Sequence, residues 1–175
     1  MISIRGISKD FDGVKALEDV TLYVEEGETF GLIGPNGAGK TTLIRILTGQ
    51  IAPTHGDILL GGEPVNPRDS HYRLRVGLVP QEPAFYGRLS ARENLVLLAR
   101  LYGMEASNDS GRIKSLLALA GLEEHAGRQA RFYSRGMQQR LSLIMGMVHE
   151  PDLIYMDEPT SGLDPEAAKR VHHLI

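Results

Sequence analysis

Two groups of residues in this 175-residue chain have the types and spacing that chemistry on a phosphorylated ligand needs. The first, Gly34-Pro35-Asn36-Gly37-Ala38-Gly39-Lys40-Thr41, fills every position of the pattern G-x-x-x-x-G-K-[ST]. Small residues let successive amide N–H groups converge on phosphate oxygens, Lys40 carries its charge to the outer phosphates, and the Thr41 hydroxyl can ligate magnesium, with Thr42 next in the same site. The second is Asp157-Glu158, delivered at the end of the apolar run Leu153-Ile154-Tyr155-Met156. Magnesium at a nucleoside triphosphate needs hard oxygen ligands, which Asp157 supplies directly or through water, and Glu158 one step further can face an attacking water. The pattern alone leaves open which carboxylate is the base, although a metal-bound one is poorly suited because its charge is already engaged.

The elements that must position these groups are legible in the periodicity. Glu28 to Ile33 reads as a short strand entering the phosphate loop, and Thr42 to Thr48 as a helix leaving it, closed by Gly49. Ile2, Ile4 and Ile7 mark a first strand and Val20, Leu22 and Val24 a second, expected to pair antiparallel beside the strand that enters the loop. Pro53 to Gly56 reads as a turn, Asp57 to Leu60 as a strand ended by Gly61-Gly62, and Arg75 to Val79 as a strand of the central sheet stopped by Pro80. Ser90 and Glu93 have capping-box spacing, so a helix begins at Ser90, presents Leu95, Leu98 and Tyr102 to a core, and closes at Gly103. Residues from Glu105 to Gly111 read as a polar loop, and Ile113, Leu116, Leu117 and Ala120 as a helix ending near Gly121. Ser134 caps a third long helix carrying Met137, Leu141, Ile144, Met145 and Val148. The signal between Pro83 and Arg131 is mostly helical, which implies a helical lobe inserted between strands of the core.

Composition narrows the class. With 42% hydrophobic residues the chain can build one domain with a core, and a net charge of −3 argues against a strongly basic nucleic-acid surface. The absence of cysteine excludes disulfides and thiolate metal sites. The first residues lack the apolar centre of a secretory signal, and no run reaches the roughly 18 apolar residues of a membrane span, so any membrane contact is expected through a partner or at the surface.

Taken together, Gly34 to Thr41, Gln81, Tyr133 to Arg140, Leu153 to Glu158 and Ser161-Gly162-Leu163-Asp164 resemble the nucleotide-binding domain of an ATP-binding cassette (ABC) transporter, over essentially the whole chain. The resemblance implies an α/β fold: a P-loop NTPase core with an antiparallel β subdomain and an inserted helical subdomain at about 84–135, all within one nucleotide-binding domain over 1–175. It implies that Asp157 is the magnesium-associated carboxylate and Glu158 the general base. Gln81 matches the glutamine that approaches magnesium and water, and Phe11 the aromatic that stacks on adenine, although a Phe between Asp10 and Asp12 also suits a turn residue packed on the sheet. Ser134 and Gly136 match the signature loop that completes the ATP site of the opposite subunit, where amides and a hydroxyl at a helix start suit a γ-phosphate. Asp164 matches the aspartate of a loop that crosses between subunits, and locally it suits the cap of a helix begun by Pro165.

The sequence departs from the family's commonest signature, Leu-Ser-Gly-Gly-Gln, with Tyr133, Arg135 and Met137 in place of its Leu, first Gly and Gln. Arg135 reads as a tolerated, phosphate-facing variant. The switch histidine that the family carries beyond a further strand has no counterpart, since His172 and His173 fall in the helical pattern of Ala167, Val171 and Leu174. The resemblance therefore implies a domain incomplete at its C-terminus. Its functional implication is a magnesium-dependent ATPase subunit that binds ATP and Mg2+, pairs with a second ATPase subunit as a homodimer, and drives a separate integral membrane permease. The Arg135 to Arg140 variant points to export, no nucleic acid is expected, and the location implied is cytoplasmic, peripheral on the inner face of the membrane. Two alternatives stay open: a soluble ABC-type ATPase of translation or DNA repair, and a nucleotide-binding fragment without turnover.

Overall fold

The computed structural model describes residues 1–104 and 106–172, so Glu105, His173, Leu174 and Ile175 lie outside it. The chain divides into two compact units, Met1–Arg73 and Leu74–Ile175.

The first unit is built on an antiparallel sheet of order β2-β1-β3-β4. Strand β1 (Ile2–Phe11) and β2 (Val14–Val24) form a hairpin in register Ile2↔Val24 to Phe11↔Val14. The two-residue connection is Asp12-Gly13, both at positive φ, the composition and geometry of a turn whose twist matches that of the strands. On the other edge of β1 lies β3 (His55–Leu60), followed by the short β4 (Glu63–Pro64). Alternation sends Ile2, Ile4, Ile58 and Leu60 inward, and all are buried. Helix α1 (Lys40–Leu47) buries Leu43, Ile44, Ile46 and Leu47. Its end is fixed by Gly49, at φ 72, whose N–H donates to the Ile46 carbonyl. A five-residue helix that the periodicity did not announce, α2 (Ser70–Leu74), carries the buried Tyr72, whose hydroxyl donates to the Leu47 carbonyl at 2.8 Å.

One expectation fails here. Glu28 to Ile33 is not a strand: the segment carries no ladder among the described residues, and Phe30, Leu32 and Ile33 are exposed, Ile33 at 99%. A strand exists only where a neighbour satisfies its backbone groups, and alternation of side chains does not supply that neighbour. The β1–β2 pair accordingly forms without the strand expected beside it.

The second unit joins a parallel pair to a helical core. Strands β5 (Val76–Val79) and β6 (Leu153–Met156) run parallel in the register Val76↔Leu153 through Val79↔Met156. Helix α3 (Ala91–Leu101) opens with the expected capping box, in which Ser90 and Glu93 satisfy each other's backbone N–H. The backbone bond from Ser90 holds the Glu93 carboxyl below the usual carboxylate range. Helix α4 (Ala106–Leu119) starts earlier than expected, because 106–111 is helical and not a loop. Asn, Asp and Ser, which read as loop formers, also suit a first helical turn. Helix α5 (Arg135–Gly146) and α6 (Pro165–His172) complete the unit. Leu95, Ile113, Leu116, Leu117, Leu122, Leu141 and Ile144 make one buried core.

Two glycines set α5 against β5. A Cβ on Gly77 would stand 2.2 Å from the Gly146 carbonyl oxygen, and one on Gly146 would stand 3.0 Å from Val79. The helix that starts at Ser134 is thereby pressed onto the strand that leads to Gln81.

Candidate nucleotide site

The phosphate loop belongs to the first unit. Gly37 and Gly39 take φ of 82° and 87°, a left-handed backbone that L side chains rarely adopt. Gly39 is doubly constrained, since a Cβ there would lie 2.6 Å from both the Ala16 carbonyl oxygen and a Leu17 methyl. The loop is closed on itself: Ala38 N–H donates to the Pro35 carbonyl, and Lys40 Nζ donates to the carbonyls of Gly34 and Pro35 at 2.8 and 3.0 Å. These are neutral acceptors on an exposed loop, so a phosphate offers the ammonium a stronger, charge-assisted partner. Thr41 and Thr42 occupy the first turn of α1, where backbone N–H groups lack intrahelical acceptors. Phe11, at the end of β1, is 44% exposed, and Lys9 Nζ lies 4.9 Å from its ring centroid. The ring is thus both the turn-flanking residue and a surface with area left for stacking.

The carboxylates belong to the second unit. Asp157 N–H donates to the Val79 carbonyl at 2.9 Å, which prolongs the parallel ladder one step past β6. Asp157 is 8% exposed, while Glu158 adopts φ 47, a conformation that costs a non-glycine residue on the order of 1–2 kcal/mol. Gln81 Nε2 donates to Glu158 Oε2 at 2.9 Å. Register explains the meeting, because Val79 faces Met156 and two further steps along parallel strands bring residues 81 and 158 opposite each other.

The signature residues gather at one cavity of about 140 Å³, lined by Ser134, Gly136, Gly162 and Asp164 among others. Ser134 is the N-cap of α5, its Oγ accepting from the Met137 N–H at 3.3 Å. Asp164 Oδ1 accepts from the N–H groups of Glu166 and Ala167 at 3.1 and 2.9 Å, so the local capping role is present. Gly136 approaches α6 closely, with a built Cβ 3.1 Å from that of Ala167. Tyr133, in place of the common Leu, is buried, and its hydroxyl donates to the His125 carbonyl at 2.6 Å. Burial pushes that hydroxyl's pKa up. Arg140 Nη1 donates to the Ala120 carbonyl, the end of α4, and so ties the signature helix to the helical core.

The chain combines a glycine-rich loop ending in Lys-Thr, an acidic pair beyond a half-buried strand and a capped Ser-x-Gly at one helix start, and the family model for ABC transporters matches residues 17–161. The chain belongs to the ABC transporter ATP-binding family. The cassette is 41% identical, over its whole length, to a Nod factor export ATP-binding protein I of Cupriavidus pinatubonensis, and 42% identical over 99% of its length to that of Bradyrhizobium diazoefficiens. It spans about half the length of these curated relatives, 53% and 56%.

Among solved structures, it is similar to a dimeric ATP-binding cassette in a post-hydrolysis state bound to ADP and Pi. The TM-score is 0.86 and the identity 28%, over 99% of this chain and 81% of the other. An ATP-binding subunit of an ABC transporter aligns with a TM-score of 0.85 at 34% identity, covering 99% of this chain and 71% of that one. The cassette therefore has the P-loop α/β fold of this family.

Reading residues alone missed three relationships in the cassette. The direct Gln81–Glu158 bond was recoverable only from the strand register. Arg135 does not extend freely in front of the signature: its guanidinium lies against Gly162, where a built Cβ would be 2.7 Å from Nη2, and Nη2 is 3.9 Å from Glu82 Oε1. His149 stacks on Tyr102 at 3.7 Å between ring centroids, a pairing that two separate helical patterns could not announce.

Proposed function

We propose that this cassette binds and hydrolyses ATP as the motor of a transporter, with export as the direction. The observation that carries the reading is Gln81 held on Glu158 beside the nearly buried Asp157, all at the open end of a parallel strand pair. Family membership and the intact phosphate loop support it. The Nod factor export proteins among its relatives support export. Their cargo stays theirs, and for this chain the cargo belongs to the permease that accompanies it.

The donor set fits magnesium. Asp157 is a hard carboxylate at a strand end, Thr41 adds a hydroxyl, and Gln81, having given Nε2 to Glu158, keeps its carbonyl oxygen for a ligand. Among the described residues no cluster of three or more acidic, histidine or cysteine side chains could cage a metal, which matches an ion held largely by substrate phosphates and water. When bound, magnesium neutralises charge on the β- and γ-phosphates. Lys40 and the loop amides hold the phosphates, and the Ser134 helix start meets the γ-phosphate of a partner subunit's ATP. Glu158 accepts the proton of the attacking water while Gln81 fixes that carboxylate's orientation.

The working assembly is a homodimer of ATPase subunits with an integral membrane permease on the inner face of the cell membrane. A dimeric ATP-binding cassette and cbiO1 of Clostridium perfringens, part of the ABC transporter complex cbiONQ, support this arrangement. No helix among the described residues is long and apolar enough to cross a membrane. The domain boundaries proposed are one nucleotide-binding domain over 1–175, with the helical subdomain at about 84–135. The full-length protein should hydrolyse ATP when magnesium is present and co-purify with a multispanning membrane protein. Nucleotide-sensitive association with ribosomes and no permease would overturn the reading.

A further inference from the structure

The commonest signature of the family has glycine where this chain has Arg135, so the contacts of that side chain belong to this sequence. Its guanidinium packs on Gly162, in the turn between Glu158 and Asp164. It also faces Glu82, the neighbour of the Gln81 that is bonded to Glu158. One exposed ion pair at 3.9 Å contributes little by itself. A guanidinium that fills the space of a Gly162 side chain is a different restraint, since only a residue without Cβ leaves room for it.

We propose that Arg135 is a positioning residue for hydrolysis: it ties the signature turn to the Gly162 turn and the Gln81-Glu82 loop, so that Glu158 and Gln81 are held in register. The inference rests on the proposed ATPase reading and deepens it. Gly162 leaves the Arg135 guanidinium the space that a side chain would take, and its φ of 67 suits glycine. A side chain introduced at Gly162 would displace the guanidinium, the flexible partner, and so include the loss of Arg135 beside the backbone strain at φ 67.

Two experiments on the full-length protein test this. In the first, hydrogen exchange without nucleotide compares wild type with Arg135→Ala. Faster exchange confined to segments 80–83 and 158–164, with an unchanged melting midpoint, is expected; unchanged exchange there overturns the link whether or not the protein turns over ATP. In the second, steady-state hydrolysis is measured for Arg135→Ala, Gly162→Ala and the double variant. Arg135→Ala should lower kcat by between about tenfold and about a hundredfold, the consequence of misplacing a reacting group, with KM for ATP unchanged. The double variant should be no slower than the slower single variant, because both changes remove one contact. A wild-type kcat in Arg135→Ala, an effect on KM alone, or losses that multiply would overturn the positioning role. Glu158→Gln in parallel keeps the cases apart: if wild type and Glu158→Gln are equally inactive, the ATPase reading has failed, and the exchange experiment still decides the link.

Discussion

Gln81 and Glu158 meet at 2.9 Å because they sit two steps beyond a matched pair, Val79 and Met156, in parallel strands. The bond is therefore a property of strand register and not of either loop alone. It places an amide donor on a carboxylate that is already in a left-handed backbone conformation, a strain retained at a site where orientation matters.

Replacing Glu158 with Gln keeps the shape and removes the proposed base. ATP should still bind, and hydrolysis in the full-length protein should fall by about two to four orders of magnitude, the usual contribution of a positioned base. Gln81→Ala, which leaves the carboxylate but frees it to rotate, should fall less. Single-turnover hydrolysis measured beside equilibrium ATP binding checks both; a Gln81→Ala loss that exceeds that of Glu158→Gln would contradict the assignment of the base.

Lys40 closes the loop on Gly34 and Pro35 and, in the proposed site, offers its charge to phosphate. Lys40→Ala removes both contacts. A hydrogen bond to a charged group is worth about 1.5–3 kcal/mol, so ATP affinity should drop by roughly tenfold to a hundredfold. Adenosine affinity should change little, because the nucleoside has no phosphate. Titration of the two ligands tests the pair of expectations, and an equal loss for adenosine would place the defect in the loop's fold.

Local rules carried the reading far where the physics is local. The capping box at Ser90, the cap at Ser134 and the glycine stop at Gly49 are decided by residues within one turn, and each appears where the sequence puts it. The failures are non-local. Glu28 to Ile33 alternates like a strand, yet pairing depends on a neighbour far along the chain. The start of α4 was misjudged because its polar residues satisfy loop and first-turn chemistry equally. In the candidate site, motif order singles out the acidic pair and the signature as proposals, whereas Gln81 on Glu158 and Arg135 on Gly162 are tertiary facts that no spacing encodes.

His149 provides a pH dependence whose sign follows from its hydrogen bonding. Nε2 lies 3.1 Å from the Val76 carbonyl oxygen, which can only accept, so Nε2 carries the hydrogen and the added proton must go to Nδ1. Nδ1 is buried and has no hydrogen-bond partner among the described residues. Burial holds the His149 pKa below its ordinary 6.5, against a smaller opposing effect of the bond to Val76. The unfolded chain then binds the proton more readily than the folded one, so this stability is complete above about pH 6.5 and is lost as pH falls through the folded value. His149→Phe keeps a ring for Tyr102 and removes the titration. Denaturant unfolding at about pH 7 and about pH 5.5 should show a smaller acid loss in the variant than in wild type, and an equal loss would assign the acid sensitivity elsewhere.

The proposed composite site makes a prediction about which mutations can share a chain. In a homodimer each ATP is held by one subunit's Lys40 and by the partner's signature turn, so every site borrows from both chains. Place Lys40→Ala in one subunit and Ser134→Arg in the other, and one site carries both defects while the second is intact. Place both changes in one subunit opposite wild type, and each site carries one defect. Arginine at 134 keeps a favourable charge but loses the short hydroxyl and the cap that accepts from the Met137 N–H, so it spoils the close approach of phosphate to the start of α5. Single-turnover hydrolysis in defined heterodimers of the full-length protein should show a fast fraction for the first arrangement and none for the second. A fast fraction in the second arrangement and none in the first would mean that each site is completed within one chain, and none in either would mean that the two sites fire only together. A third heterodimer, Lys40→Ala opposite wild type, separates those outcomes, because it retains one intact site only if sites act independently.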